Sequence, residues 1–163
     1  MKIVIVGCGR VGATLAEAYD AAGHQVVILD IATRAFERLP DSFGGSAVRG
    51  DGTDEDTLRK AGAEEADVFL ALTEGDNRNV MSAQVALESL GARQVIAKIN
   101  DPVRAAAYAE IGLTTVCRTT MLADAISGQL GLPASGRPAV FPSSGSHSGH
   151  EHDQERRDRR GEA

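Results

Sequence analysis

Three glycines near the start of the chain, Gly7, Gly9 and Gly12, have the spacing of a turn that holds a pyrophosphate. They follow an apolar run at residues 3–6, which has the length and branching of a buried parallel strand, and they precede a helical pattern. In such a turn the first glycine permits the tight bend, the second lets the backbone approach the phosphates, and the third lets the helix pack close to the strand. The N–H groups at the start of that helix would then face the phosphates. The pattern predicts a dinucleotide-binding turn.

An acidic residue lies where a ribose would be held. Residues 25–30 have the pattern of a second strand, and this strand ends in Asp30. A carboxylate at about this spacing from the glycines can accept hydrogen bonds from both ribose hydroxyls. Because a carboxylate repels a 2′-phosphate, Asp30 argues against NADP as the ligand.

The segments that must position these residues alternate between strands and helices. Strands are predicted at residues 3–6, 25–30, 46–49, 67–72, 94–99 and 114–117, and helices at 11–22, 30–39, 53–61, 77–90, 102–111 and 121–130. This alternation predicts an α/β fold with a Rossmann-like, doubly wound, parallel six-stranded sheet and helices on both faces, in the strand order 3-2-1-4-5-6. Ligands of such sheets bind at the switch point, beyond the carboxyl ends of the strands. The turn at Gly7, the strand end at Asp30, the loop at 50–51, the loop at Thr73 and the strand end at Lys98 should therefore meet in one site.

Composition excludes several classes of protein. The 163 residues fit one domain and leave no room for a second, substrate-binding domain. No stretch approaches the ~20 apolar residues that cross a bilayer, and Met1 leads directly into a strand, so no signal peptide is expected and the protein should be cytoplasmic. A net charge of −6 and the absence of Trp argue against a nucleic-acid partner.

The two cysteines, Cys8 and Cys117, have no framework spacing, which argues against a structural disulfide or a zinc site. Cys8 lies inside the glycine-rich turn. A redox role is conceivable there, but a small residue that fills a tight turn is the simpler interpretation.

The chain is predicted to divide into a nucleotide-binding domain at residues 1–132 and a disordered mixed-charge tail at 133–163. The tail is rich in Pro, Ser, Gly and charged residues and cannot bury enough apolar surface to offset its ordering entropy. His147, His150 and His152 suggest metal binding. Without an ordered scaffold, a solvated tail is favoured and no metal site is predicted.

Several motifs together resemble one family. They are Gly-x-Gly-Arg-x-Gly at residues 7–12, the strand-end Asp30, Gly-Asp-Gly-Thr at 50–53, Leu-Thr-x-x-Asp-x-x-Asn at 72–79 and Ala-Lys-Ile-Asn-Asp-Pro at 97–102. The chain is similar to the TrkA N-terminal domain, also called RCK or KTN, which is the nucleotide-sensing domain of potassium-uptake regulators and potassium channels. The likeness covers about residues 1–130.

The resemblance implies a binding site for NAD(H) or ATP/ADP. Arg10 would hold phosphate oxygens; as a cation at a helix start it opposes the dipole, which favours an anion beside it over a purely solvated side chain. Asp30 would hold the ribose. Asp51 would accept from the adenine amino group, cap a helix, or both. Arg34 would either stack on adenine or remain in solvent.

The other implied roles lie towards the phosphates and the nicotinamide. Thr73 would lie beside the pyrophosphate or the nicotinamide ribose, and Asn79 would face the same cleft. Lys98, where the family commonly has Arg, would meet a terminal phosphate or the nicotinamide end, although a point charge recognises a γ-phosphate less specifically than a guanidinium. The complete predicted set is Gly7, Cys8, Gly9, Arg10, Val11, Gly12, Asp30, Ile31, Arg34, Asp51, Gly52, Thr53, Leu72, Thr73, Asn79 and Lys98.

The favoured function is a regulatory subunit of a Trk- or Ktr-type potassium transport system. The resemblance implies a membrane potassium transporter subunit as partner, a position at the inner face of the membrane, and a homodimer or higher ring. The helix at 121–130 would cross to the partner copy or pack on its own sheet. Because the second domain of many family members is not expected in this chain, a separate regulatory chain is a further candidate partner.

The alternative is a small NAD-dependent oxidoreductase. His24 is the sole histidine before residue 133, at the wrong end of the sheet, and no Tyr-x-x-x-Lys pair occurs. The chain is therefore predicted not to be an enzyme.

Overall fold

A twisted sheet forms the centre of the computed structural model, which describes residues 1–142. Within these residues the sheet has seven strands in the order β3-β2-β1-β4-β5-β6-β7. The strands are β1 (Lys2–Val6), β2 (Gln25–Asp30), β3 (Ser46–Arg49), β4 (Val68–Ala71), β5 (Gln94–Ile99), β6 (Thr114–Cys117) and β7 (Val140–Phe141). The helices are α1 (Arg10–Ala21), α2 (Glu55–Lys60), α3 (Asp76–Glu88), α4 (Pro102–Glu110) and α5 (Arg118–Gln129), with a 3₁₀ helix at Thr33–Arg38.

The first six strands pair in parallel, and the chain reverses its winding direction between β1 and β4. The predicted fold class, a Rossmann-like α/β fold with its switch point beside the glycine-rich turn, is confirmed. β1, β2 and β4 were predicted accurately because each is a short, nearly continuous apolar run. β3, with the sequence Ser-Ala-Val-Arg, is largely exposed, and the alternation of strands and helices predicted it instead.

Successive residues of β1 pack on opposite faces of the sheet. Val4 and Val6 belong to a core shared with α2, α3 and α4, whereas Ile3 and Ile5 belong to a core shared with α1 and the 3₁₀ helix. Since strand side chains alternate between the faces, one strand links the two cores and is held in a fixed position. The turn that follows β1 is therefore built on a rigid base.

Two helices begin directly after an aspartate whose side chain caps them. Asp54 caps α2 by accepting from Thr57 N, and Asp101 caps α4 by accepting from Val103 N and Arg104 N. Pro102 occupies the first turn of α4, where its missing N–H costs nothing. The predicted start of α4 is confirmed, and α2 begins two residues after its predicted start.

The predicted disordered tail at 133–163 is wrong for Val140–Phe141, which form β7 antiparallel to β6. Two residues are too few to produce a periodic pattern. The strand forms through non-local contacts: Cys117 N donates to Ala139 O at 2.7 Å, and Phe141 packs against the main core. Residues 143–163, with His147, His150 and His152, lie outside the described residues.

Two of the predicted helices differ most from the structure. Residues 30–39, predicted as a short helix, contain a 3₁₀ helix at Thr33–Arg38, and α5 begins at Arg118 instead of residue 121. Nothing among the helices of residues 1–142 has the length and apolar character of a membrane span.

Candidate functional site

A cavity of about 530 Å³ lies beyond the carboxyl ends of β1, β2, β3 and β4. Its walls come from the glycine-rich turn, from the end of β2, from the 3₁₀ helix, from the loops after β3 and β4, and from α3. The lining residues are Val6, Gly7, Cys8, Gly9, Arg10, Leu29, Asp30, Ile31, Ala32, Ala35, Arg38, Gly50, Asp51, Gly52, Thr53, Leu72, Thr73, Glu74, Arg78 and Ser82. The switch point of the sheet thus coincides with the largest group of predicted site residues.

The three turn glycines have different structural environments. Gly7 has a positive φ of 107°, and a Cβ built on it would lie 2.8 Å from Thr73 N. A Cβ on Gly12 would lie 2.0 Å from Gly7 O, whereas one on Gly9 would have no atom within 4 Å. The protein itself therefore requires glycine at 7 and 12, while Gly9 leaves open space in the cavity wall.

Helix α1 begins at this open position. Gly9 is its N-cap residue, no side chain in residues 1–142 caps it, and its first turn contains no acidic residue. The amide groups of the first turn and the positive end of the helix dipole lie next to the cavity, and both favour an anion there. Arg10 adds a cation to the same wall.

The Asp30 carboxylate is positioned by two backbone N–H groups. Cys8 N donates to Oδ2 at 2.9 Å, and Ala32 N donates to Oδ1 at 2.8 Å. An ionised carboxylate has about four acceptor positions, so each oxygen can accept one further hydrogen bond. Asp30 therefore orients the glycine-rich turn and still presents acceptors to the cavity.

Asp51 forms a turn with Thr53 and does not cap the following helix. Thr53 N and Thr53 Oγ1 donate to Asp51 Oδ1 at 2.9 and 2.8 Å. These two hydrogen bonds, the backbone one foremost, hold the pKa of Asp51 below its usual range, so the residue is anionic at neutral pH. The alternative in which Asp51 caps α2 is wrong, because Asp54 is the cap.

Asn79 does not face the cavity, contrary to the prediction. It is fully buried; its Oδ1 accepts from Thr73 N and Oγ1 at 2.8 and 2.7 Å, and its Nδ2 donates to Thr73 O and Lys98 O at 3.0 and 2.7 Å. The amide has no capacity left for a ligand. Asn79 instead fixes the loop after β4 to the end of β5 and so positions Thr73 in the cavity wall.

Four more predicted residues lie outside the lining: Val11, Gly12, Arg34 and Lys98. Val11 is exposed on α1, and Arg34 is exposed and paired with Glu37 at 3.6 Å. Lys98 is buried, and this burial lowers the pKa of its ammonium group. Contacts of these residues with a ligand stay predictions.

The structure adds cavity residues that the sequence analysis missed, chiefly Arg38, Glu74, Arg78 and Ser82. Arg78 and Ser82 are four positions apart on α3, so both project from the same side of the helix. Ser82 Oγ is buried and has no hydrogen-bond partner within residues 1–142. A buried hydroxyl without a protein partner marks a place where a ligand or water can bond.

Comparison with known proteins assigns the family. The sequence model of the TrkA-N domain matches residues 3–119, which include the whole cavity lining. The chain belongs to the TrkA-N domain family.

Curated relatives of this TrkA-N domain bear the name of one transport system. The Trk system potassium uptake protein TrkA of Streptomyces coelicolor is 47% identical over 138 residues, which are 85% of this chain and 61% of that protein. A TrkA homolog of Archaeoglobus fulgidus is 39% identical over 102 residues, 63% of this chain and 23% of the homolog. The chain thus spans less than two thirds of these relatives.

Solved structures share the fold. The TrkA-N domain of the inner membrane protein ybaL from Escherichia coli has a TM-score of 0.70 at 22% identity, and the match covers 79% of this chain and 96% of that one. The GsuK channel bound to NAD has a TM-score of 0.64 at 21% identity, covering 78% and 23% of the two chains, and GsuK bound to ADP has 0.63 at 21%, covering 78% and 33%.

Proposed function

We propose that this TrkA-N domain is a nucleotide-sensing regulatory subunit of a Trk- or Ktr-type potassium transport system. The observation that carries the proposal is the convergence of Gly9, Asp30 and Asp51 on one cavity. An open backbone turn for phosphates and two carboxylates for ribose and adenine are the groups that an adenosine diphosphate moiety needs.

The proposed ligand is NAD(H) or an adenine nucleotide, ATP or ADP. The anionic Asp30 disfavours the 2′-phosphate of NADP. The names of the GsuK structures, which carry NAD or ADP, agree with this ligand class. A ligand in the cavity would contact the ends of four strands at once, so it could stabilise one arrangement of their loops over another.

The proposed activity is binding without chemical turnover. His24, the natural candidate for an acid or base, lies at the amino end of β2, whereas the cavity lies at the carboxyl ends of the strands. The proposed partner is a membrane potassium transporter subunit, reached from the cytoplasm, and a separate regulatory chain is a second candidate. We propose further that the nucleotide-binding unit extends beyond residue 132 to include β7.

The proposal is tested by isothermal titration of the protein with NADH, NAD, ATP and ADP. We expect a dissociation constant on the order of micromolar for at least one of them. Asp30→Ala should abolish this binding, because the substitution removes the ribose acceptor and the support of Cys8 N. The matched control is Asp41→Ala, which removes an exposed carboxylate outside the cavity and should leave the affinity unchanged.

Two results would contradict the proposal. Undiminished affinity in Asp30→Ala would mean that the ligand binds elsewhere. Steady oxidation of NADH in the presence of small-molecule substrates would favour the oxidoreductase alternative.

A further inference from the structure

Glu74 connects the cavity to two cations that are not part of its lining. It follows Thr73 in the loop after β4 and contributes to the cavity wall. Its Oε1 lies 3.8 Å from Lys98 Nζ, and its Oε2 lies 3.7 Å from Arg118 Nη1. One carboxylate therefore lies within ion-pair distance of both cations.

Both cations are in places that favour a nearby anion. The Lys98 side chain is 8% exposed, and a charge at that depth loses most of its hydration. Arg118 is the first residue of α5, where the helix dipole disfavours a positive charge. Asp76 also acts on Lys98, but its oxygens already accept from Asn100 N, Asn100 Nδ2 and Asp101 N.

Glu74 stabilises these cations only weakly. Its side chain is 83% exposed, and both separations are longer than a hydrogen bond. Ion pairs of this kind contribute little to stability because water screens them. A phosphate group, with more charge and more acceptor oxygens, can replace the carboxylate.

Glu74 lies near the place where the phosphates of a ligand would bind. A Cβ on Gly7 would lie 2.8 Å from Thr73 N, so the loop containing Glu74 packs directly against the glycine-rich turn. Asp30 and Asp51 lie on the other side of the cavity, at the ends of β2 and β3. A nucleotide whose ribose is at Asp30 and whose phosphates are at the turn would extend its last phosphate towards Glu74.

We propose that Lys98 and Arg118 form an anion subsite for a terminal nucleotide phosphate, and that Glu74 occupies this subsite as an internal carboxylate when no such phosphate is bound. Glu74 is then the residue that determines specificity for the number of phosphates. The inference rests on the proposed nucleotide-binding function, and it adds Glu74 and Arg118 to the predicted role of Lys98.

The mechanism is competition between like charges. In the wild-type protein each added phosphate is repelled by Glu74 and must displace it before it can reach the cations. Removal of the carboxylate charge should therefore increase affinity more for ATP than for ADP, and more for ADP than for AMP. The same reasoning predicts the opposite order when a cation is removed.

The test is titration of wild-type protein, Glu74→Gln and Arg118→Gln with AMP, ADP and ATP at one ionic strength without divalent cations. Glu74→Gln should increase the ratio of ATP affinity to AMP affinity about three- to tenfold. Arg118→Gln should decrease the same ratio by a similar factor. Both side chains are more than half exposed, so both variants should fold.

The matched control is Glu88→Gln, which removes the same charge from the last residue of α3, at the end of this helix that is away from the cavity. It should leave the ratio of ATP to AMP affinity unchanged. An equal change for all three nucleotides in Glu74→Gln, or no change, would overturn the inference while leaving the proposed function intact. Failure of AMP, ADP and ATP alike to bind the wild-type protein would overturn the inference, and failure of NADH and NAD as well would overturn the proposed function.

Discussion

At the scale of single residues, the site depends on which atoms already have protein partners. Asn79 has the residue type of a ligand contact, but all of its hydrogen-bonding capacity is used inside the protein. Ser82 has the opposite character, because its buried hydroxyl has no partner within residues 1–142. The same distinction separates the turn glycines, of which Gly12 is packed against Gly7 O and Gly9 is open.

This distinction predicts different outcomes for one substitution at two positions. Gly12→Ser should lower the free energy of unfolding by about 3 kcal/mol or more, because its Cβ would overlap Gly7 O. Gly9→Ser should leave stability unchanged or slightly higher, because Ser is a favourable N-cap residue. It should nevertheless weaken nucleotide binding about tenfold, because the side chain occupies the space of the pyrophosphate.

Urea unfolding and titration calorimetry on both variants measure these effects. A destabilised Gly9→Ser protein would show that position 9 is packed by the protein. Full nucleotide affinity in a stable Gly9→Ser protein would contradict the predicted phosphate position.

At the scale of elements, carboxylates hold the loops and helix starts in place. Asp51 supports the loop after β3, Asp54 caps α2, and Asp67 accepts from Lys2 N at the start of β1. Hydrogen bonds to these carboxylates lower the pKa of each below its usual range. The hydrogen bond with the largest effect comes from Thr53 N for Asp51, from Thr57 Oγ1 for Asp54 and from Lys2 N for Asp67. The ionised forms are therefore more favourable in the folded protein than in the unfolded chain.

These shifts predict that stability decreases in acid. A carboxyl whose pKa is lower in the folded state contributes its full stabilisation above the unfolded-state pKa of about 3.9, and this is lost as pH falls through the lower, folded-state pKa. The urea midpoint should therefore be nearly constant from about pH 7 to 5 and fall below about pH 4. Asp54→Asn keeps a capping oxygen without a titrating group, so its midpoint should fall less steeply. An identical decline in Asp54→Asn and in the wild type would mean that other groups cause the acid sensitivity.

At the scale of the whole molecule, α5 covers little of the sheet. Thr120 is the one buried residue of this helix, whereas Met121, Leu122 and Ile126 are each at least half exposed. Exposed apolar side chains grouped on one helix are typical of a contact between proteins. The homodimer in which this helix packs on a second copy stays a prediction.

The dimer is tested by Leu122→Glu combined with Ile126→Glu, followed by light scattering after gel filtration. We expect a dimer for the wild type and a monomer for the double variant, because two buried charges oppose association. Point substitutions are preferable to removal of residues 119–163, which would also delete β7. Val103→Glu changes an exposed apolar residue on α4 and should leave the mass unchanged. A double variant that remains dimeric would exclude α5 from the interface.

The sequence alone determined the order of the first six strands and of the helices between them, the switch point, the glycine-rich turn and the strand-end position of Asp30. These features depend on local spacing, such as short apolar runs, glycines at fixed offsets and an acid at a strand end. Local spacing can be read from the sequence without knowledge of the tertiary structure. Asp30 and Asp51, predicted for the adenosine side, line the cavity for this reason, since Asp30 ends β2 and Asp51 lies in the loop after β3.

Only the tertiary structure decided which side chains of α3 face the cavity. Ser82 and Arg78 line it whereas Asn79 points into the protein, because packing on the sheet sets the rotation of the helix about its axis. Tertiary structure also decided that Glu74 pairs with Lys98 and Arg118, and that Val140–Phe141 pair with β6. These contacts join residues far apart in the chain, and no local pattern encodes them.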